Sequence, residues 1–215
     1  GRVSYDLYWY VSWYTERDHE IYEPERHVCV IEDFILCDEE KVPVEICTEL
    51  IKGFENNVSF HREGMFGGGK INPQHKKCTE IYLEGNLAEE VFQTFGEYLI
   101  SSAEKYQDNY KSCTIMDAWS ICPFFKMQRY EPGEGYFAEH SENDCKQNSN
   151  RVLAWMIYLN DVLDGGYTEF PNEYKKFQPR TGDLLIWPAY FTHSHRGITS
   201  PTQRKYIITG WFTYL

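Results

Sequence analysis

The stretch RVLAWMIYLND, residues 151–161, places eight apolar residues in a row between an arginine and an Asn-Asp pair. Branched and aromatic side chains of this kind, bounded by turn-forming residues, read as a β-strand. The run is far too short to cross a bilayer as a helix. Three further runs share its character: FFKMQRYEP (124–132), GDLLIWP (182–188) and RKYIITGWFTYL (204–215), separated by Gly, Pro, Asn and Asp. Strands therefore dominate the chain after residue 110. Before it, two segments have helical spacing. PVEICTELIKGFENN (43–57) puts Ile46, Leu50, Ile51 and Phe54 on one face, with Pro43 suited to a first turn. NLAEEVFQTFGEYLISSAEKY (86–106) carries a stripe of Val91, Phe92, Phe95, Tyr98 and Leu99, and Asn86 with Glu89 imitates a capping box. HVCVIEDFI (27–35) reads as one early strand. Helices first and strands after predict an α+β fold, mainly β, with helices on one face of an antiparallel sheet or barrel.

The 215 residues suffice for one domain with a substantial core. Residues 1–26 are expected to form an N-terminal arm and 27–215 the domain. Aromatic residues make up 17% of the chain, which suits a dense core and an aromatic-lined pocket alike. The net charge of −12 would repel a phosphate backbone, so nucleic acid is not an expected partner. No membrane association is expected either. The seven cysteines include no Cys-x-x-Cys pair and the opening GRVSYDLYWY shows no targeting pattern, so free thiols and a cytoplasmic location are expected. Oligomeric state is not legible.

The chemistry centres on His140-Ser141-Glu142. On a strand end the two side chains point to the same side. A third ligand from FTHSHRG (191–197), His193 or His195, would complete two histidines and a carboxylate, the facial set that leaves positions open on an octahedral iron(II). Taken alone, the pair also suits a solvated polar loop. GGGK (67–70) fails the phosphate-loop pattern because Ile71 follows the lysine. The surrounding segment 61–77, rich in glycine, reads as a loop able to close over a site.

The ordered segments RYEPGEGYFAEH (129–140), RVLAWMIYLND, DVLDGGYTEFP (161–171), PRTGDLLIWP (179–188) and HRGITSPTQRKYIITGW (195–211) together resemble the prolyl 4-hydroxylase-like branch of the iron(II)/2-oxoglutarate dioxygenases, most of all its small microbial and viral members. VIEDFILCDEE and CTELIKGFE are similar to that family's first strand and helix, so the resemblance spans roughly 27–215. It implies a double-stranded β-helix (jelly-roll) core with supporting N-terminal helices. It implies His140, Glu142 and His195 as iron ligands, His195 being favoured because Lys205 stands ten residues after it. Glutamate at 142 departs from the family's usual aspartate by one methylene. Lys205 would hold the distal carboxylate of 2-oxoglutarate, with Tyr130, Tyr158 and Thr209 as further cosubstrate contacts. Iron(II), 2-oxoglutarate and dioxygen, with L-ascorbate as a candidate accessory, are the implied cofactors. A prolyl residue in a peptide or protein is the implied substrate. A free amino acid or other small molecule, and a non-catalytic jelly-roll binding module, are the alternatives. For a viral member, the location would be the host-cell cytoplasm.

Overall fold

The computed structural model describes residues 28–67 and 69–215, and the expected arm over 1–26 lies outside them. The elements run β1 (Cys29–Glu32), β2 (Ile35–Asp38), α1 (Val44–Asn56), β3 (Arg62–Glu63), β4 (Lys76–Lys77), β5 (Thr79–Leu83), α2 (Gly85–Asn109), β6 (Trp119–Tyr130), β7 (Gly135–Tyr136), β8 (Arg151–Tyr158), β9 (Thr168–Phe170), β10 (Lys175–Phe177), β11 (Leu184–Pro188), β12 (Arg196–Gly197) and β13 (Lys205–Tyr214). An eight-stranded antiparallel sheet has the order β1-β2-β11-β8-β13-β6-β5-β3, a three-stranded sheet has β10-β9-β12, and β4 pairs with β7. The two larger sheets face each other across a cavity in a double-stranded β-helix, with the helices outside.

The apolar run of β8 is explained by burial on both faces. Leu153, Trp155 and Ile157 join the helix side of the large sheet, where Leu50 and Phe54 of α1 and Phe95 and Leu99 of α2 pack. Ala154, Met156 and Tyr158 join the inner side, against Phe170 of the small sheet. A strand covered on both faces has no polar side to show, hence no alternation. At the centre, Gly210 of β13 makes room for Trp155: a Cβ there would lie 2.6 Å from the indole.

Two local expectations are corrected. Residues 27–35 do not form one strand; the chain reverses at Asp33-Phe34, both with positive φ (51° and 60°), to make the β1–β2 hairpin. Aspartate tolerates that conformation but phenylalanine does not, so Asp33-Phe34 is a much weaker turn signal than Asp-Gly. Contacts from the end of α2 hold it. Phe34 N–H donates to the Tyr110 hydroxyl (3.0 Å), the Tyr106 hydroxyl donates to the Phe34 carbonyl (2.9 Å), and the Phe34 ring stacks on Tyr110. The capping box at Asn86 is also absent. The helix begins at Gly85 without a side-chain cap and runs to Asn109, anchored by packing of Phe95, Leu99 and Tyr106 rather than by its first turn.

Candidate metal centre and cosubstrate pocket

His140 and His195 lie opposite each other and exchange backbone hydrogen bonds, His140 N–H to the His195 carbonyl (3.0 Å) and the reverse (2.8 Å). That bridge joins the approach to the metal pair with the end of the small sheet. Each ring is oriented by its own backbone: Nδ1 of His140 bonds to the Ala138 carbonyl (3.0 Å) and Nδ1 of His195 to the His193 carbonyl (3.1 Å). An Nδ1–H donor leaves the Nε2 lone pair free, the tautomer a metal ligand needs. Both Nε2 atoms converge on Glu142 Oε1, at 3.6 and 3.4 Å. The three ligand atoms lie within 4.8 Å of one another. Donors at right angles round an ion, with bonds of about 2.1 Å, stand about 3 Å apart, so small adjustments would close the set.

The other carboxylate oxygen is held from behind. Trp211 Nε1–H donates to Glu142 Oε2 (2.8 Å), and Arg151 lies 3.5 Å from the same oxygen while donating to the Glu142 carbonyl (2.9 Å). The Arg151 guanidinium also lies 3.6 Å from the centre of the Trp211 ring. Burial works to raise the Glu142 pKa, but the neighbouring imidazoles of His140 and His195 outweigh it and hold the carboxyl well below the usual range. Burial pushes His140 down, towards the neutral imidazole. Tyr136 stacks on His140 (3.6 Å) and Trp187 meets His195 edge-on (5.0 Å), so both imidazoles are confined.

Lys205 stands on the same cavity, a space of about 290 Å³. It is 5% exposed and faces no carboxylate among the described residues; its Nζ donates to the Gly166 carbonyl (2.8 Å) and lies over the Tyr130 ring. Burial brings its pKa down to about 8. Gly165 and Gly166 both have positive φ (74° and 73°), which lets the turn after β8 aim that carbonyl at the ammonium. Lys205, Ile207, Thr209 and Trp211 alternate along β13 and all line the cavity.

The remaining expected residues divide. Tyr130 lines the cavity opposite Lys205, with its hydroxyl donating to Gln128 Oε1 (2.8 Å). Thr209 lines it too, with its hydroxyl on the Trp155 carbonyl (2.7 Å). Tyr158 is fully buried and lies outside the cavity lining, and its hydroxyl is tied to Thr168 (2.7 Å), which does line it, and to the Phe177 carbonyl. His193 lies in a 3-10 turn, not an extended strand, so it does not share a face with His195. Its Nε2 bonds to the Asp33 carbonyl (2.8 Å), away from the metal group. Met65, Phe66, Gly67 and Gly69, from the glycine-rich loop, line the cavity.

Arg151, Trp211, Trp187 and Lys126 also line the cavity and were not singled out from sequence. A signal existed for Trp211, six residues past Lys205 on the same strand face. None existed for Trp187, which reads as ordinary core.

The residues present suit an iron(II) ion with a dicarboxylate cosubstrate. The donor set is neutral nitrogen twice and one carboxylate, the ammonium of Lys205 lacks a carboxylate, and the buried indole N–H of Trp187 has no acceptor.

Comparison with known proteins agrees. Residues 125–213 match the 2OG-Fe(II) oxygenase superfamily. A putative prolyl 4-hydroxylase of Acanthamoeba polyphaga mimivirus is 31% identical over 102 residues, 39% of this chain and 42% of that protein. A probable prolyl 4-hydroxylase 9 of Arabidopsis thaliana is 30% identical over 113 residues, 40% of this chain and 39% of the relative. The match thus spans about two fifths of the length of these relatives. Among solved structures, a viral collagen prolyl hydroxylase from Paramecium Bursaria Chlorella virus-1, in complex with 2OG, superposes with a TM-score of 0.63 at 18% identity, covering 85% of this chain and 97% of that one. A Trichoplax adhaerens prolyl hydroxylase, in complex with a hypoxia inducible factor peptide fragment, gives 0.64 at 18% identity, covering 84% and 83%. Residues 125–213 thus match the 2OG-Fe(II) oxygenase superfamily, and the chain shares the double-stranded β-helix fold of these solved structures.

Proposed function

We propose that this chain is an iron(II)- and 2-oxoglutarate-dependent dioxygenase that hydroxylates prolyl residues of a peptide or protein. The observation that carries the reading is the convergence of His140 Nε2, His195 Nε2 and Glu142 Oε1 in the same cavity as the buried ammonium of Lys205. His140, Glu142 and His195 would hold the ion, and Lys205 the distal carboxylate of 2-oxoglutarate. When bound, that pair supplies oxidative decarboxylation of 2-oxoglutarate to succinate and carbon dioxide, coupled to hydroxylation of a C–H bond by dioxygen. The protein's own part is placement. The Ala138 and His193 carbonyls fix the two imidazoles, while Trp211 and Arg151 keep Glu142 ionised with one oxygen turned to the ion. The apolar walls, Met156, Trp187 and Ile207, keep bulk water from the reacting region. Tyr130 lines the cavity beside Lys205, and Thr209 lines it four residues further along β13. Met65, Phe66, Gly67 and Gly69 of the glycine-rich loop line the cavity, which supports a loop that closes over a peptide, and the relatives named as prolyl 4-hydroxylases support a prolyl target. L-ascorbate is the reductant to include in assays. No described helix is long and apolar enough to cross a membrane, and all seven cysteines are free, which supports a location in the cytoplasm.

The test is succinate formation from 2-oxoglutarate with iron(II) and ascorbate, over a panel of proline-containing peptides and free amino acids. The reading requires stimulation by at least one prolyl peptide. Stimulation by free amino acids alone would move the substrate to a small molecule, and 2-oxoglutarate left unconsumed with every addition would overturn the activity.

A further inference from the structure

The cavity wall holds a second group of charges that the proposed reaction leaves unused. Glu80 is fully buried and its two oxygens are occupied. Oε1 accepts from Lys76 Nζ and from Gln128 Nε2 (2.7 Å), and Oε2 accepts from Met65 N–H (3.2 Å). Lys126 Nζ stands 3.9 Å from Oε2, beyond hydrogen-bond reach, and makes no hydrogen bond to any described residue. The adjacent Cys78 stays a neutral thiol, because burial pushes it up to about 12. Two lysines against one glutamate leave one positive charge over. The Lys126 side chain is 15% exposed, with its ammonium 4.8 Å from the centre of the Tyr82 ring and 5.9 Å from that of Trp211, and it lines the cavity.

Its place along the sheet separates it from Lys205. Lys126 is opposite Thr209 in the β6–β13 register, as Tyr130 is opposite Lys205. Four residues along a strand amount to about 13 Å. Lys205 lies over Tyr130, whereas Lys126 lies over Tyr82 and towards Trp211, so the two ammoniums take different parts of the cavity wall. Arg151, the other cation of this wall, is already engaged by Glu142 and the Trp211 ring. Trp211 in turn holds the candidate ligand Glu142, so the spare ammonium lies on the flank of the metal centre.

We infer that Lys126 is a specificity residue that takes a carboxylate of the substrate, one carried close to the carbon that is hydroxylated. This rests on the proposed activity of the site. A partly buried ammonium with no hydrogen-bond acceptor among the described residues gains most from a charged one, and a neutral amide there returns less. The carboxylate belongs either to the terminus of the target residue itself or to an acidic side chain beside it in a peptide. The chain's net −12 would repel such a substrate from most of the surface, so recognition depends on the local cations of this cavity.

Two matched pairs of probes separate these sources: N-acetylproline against N-acetylprolinamide, and blocked Pro-Glu against blocked Pro-Gln. Binding is measured calorimetrically to the anaerobic protein holding iron(II) and 2-oxoglutarate, for the wild type, Lys126→Met and Lys126→Arg. The expected result is a preference of at least about tenfold for the carboxylate member of one pair, the least that a hydrogen bond to a charged group gives. That preference should vanish in Lys126→Met and persist in Lys126→Arg, with 2-oxoglutarate affinity as the control for the fold of the site. Absence of a preference in both wild-type pairs, including absence of any binding, overturns the inference, as does a preference that survives Lys126→Met. Succinate formation reads the activity separately: a carboxylate preference with no turnover would strike the proposed reaction while leaving the subsite.

Discussion

Replacing Lys205 by methionine should weaken cosubstrate binding and stabilise the empty protein at the same time. The ammonium is buried, bonds only to the Gly166 carbonyl, and has its pKa brought from 10.5 to about 8 by desolvation. A lysine depressed in the folded state binds fewer protons there than in the unfolded chain. The cost to stability is therefore fully present below pH 8 and is relieved as pH rises from 8 to 10.5. At pH 7 that cost is about 3 kcal/mol. Methionine keeps the stem and removes the charge, so Lys205→Met should raise the melting temperature of the ligand-free protein. The same change leaves the cosubstrate carboxylate without its partner, which costs on the order of 3–5 kcal/mol, or roughly a hundred- to several-thousand-fold in Kd. Wild-type affinity for 2-oxoglutarate should be nearly level up to pH 7.5 and weaken about fivefold between pH 8 and pH 9, as the free ammonium is lost. Thermal melts with and without 2-oxoglutarate, on anaerobic iron(II) protein, read both effects. A mutant that melts lower than the wild type and keeps its 2-oxoglutarate-induced shift would refute the reasoning.

Three further outcomes follow from the same geometry. His195→Ala should abolish tight iron(II) binding, whereas His193→Ala should keep it, because His193 points to the Asp33 carbonyl; anaerobic metal titration distinguishes them. Glu142→Asp should retain a slow reaction, since the shorter arm draws the carboxylate away from Trp211 and the two imidazoles; the rate of succinate release checks this. Gly210→Ala should destabilise the fold by about 1–3 kcal/mol, because the added methyl collides with Trp155, and chemical denaturation measures it.

The sheet was legible where burial leaves a mark on composition. The apolar runs of β8 and β11 and the segment ending in β13 are strands, and the helical stripes through Leu50, Phe54, Phe95 and Leu99 pack on them. The candidate site was read through the family resemblance, and the structure brings His140, Glu142 and His195 together on the cavity that Lys205 also lines. Legibility failed where distant parts of the chain decide. The Asp33-Phe34 turn is held by tyrosines more than seventy residues away, and its own sequence offers only Asp33, without the glycine that marks a tight hairpin. Tyr158 alternates correctly along β8, but the small sheet closes over its hydroxyl and keeps it from the cavity. Lys126 looked like a single polar residue in a strand, and only the register against Thr209 and the prior claims on Glu80 mark it as a spare charge.

The central claim is that His140, Glu142 and His195 hold an iron(II) that couples 2-oxoglutarate to dioxygen. The most direct measurement is mass spectrometry of succinate formed under isotopically labelled dioxygen, with iron(II), 2-oxoglutarate and ascorbate present. The account predicts one labelled oxygen in each succinate released, and no succinate from His140→Ala or His195→Ala protein. Unlabelled succinate, or labelled succinate undiminished when either histidine is removed, would contradict it.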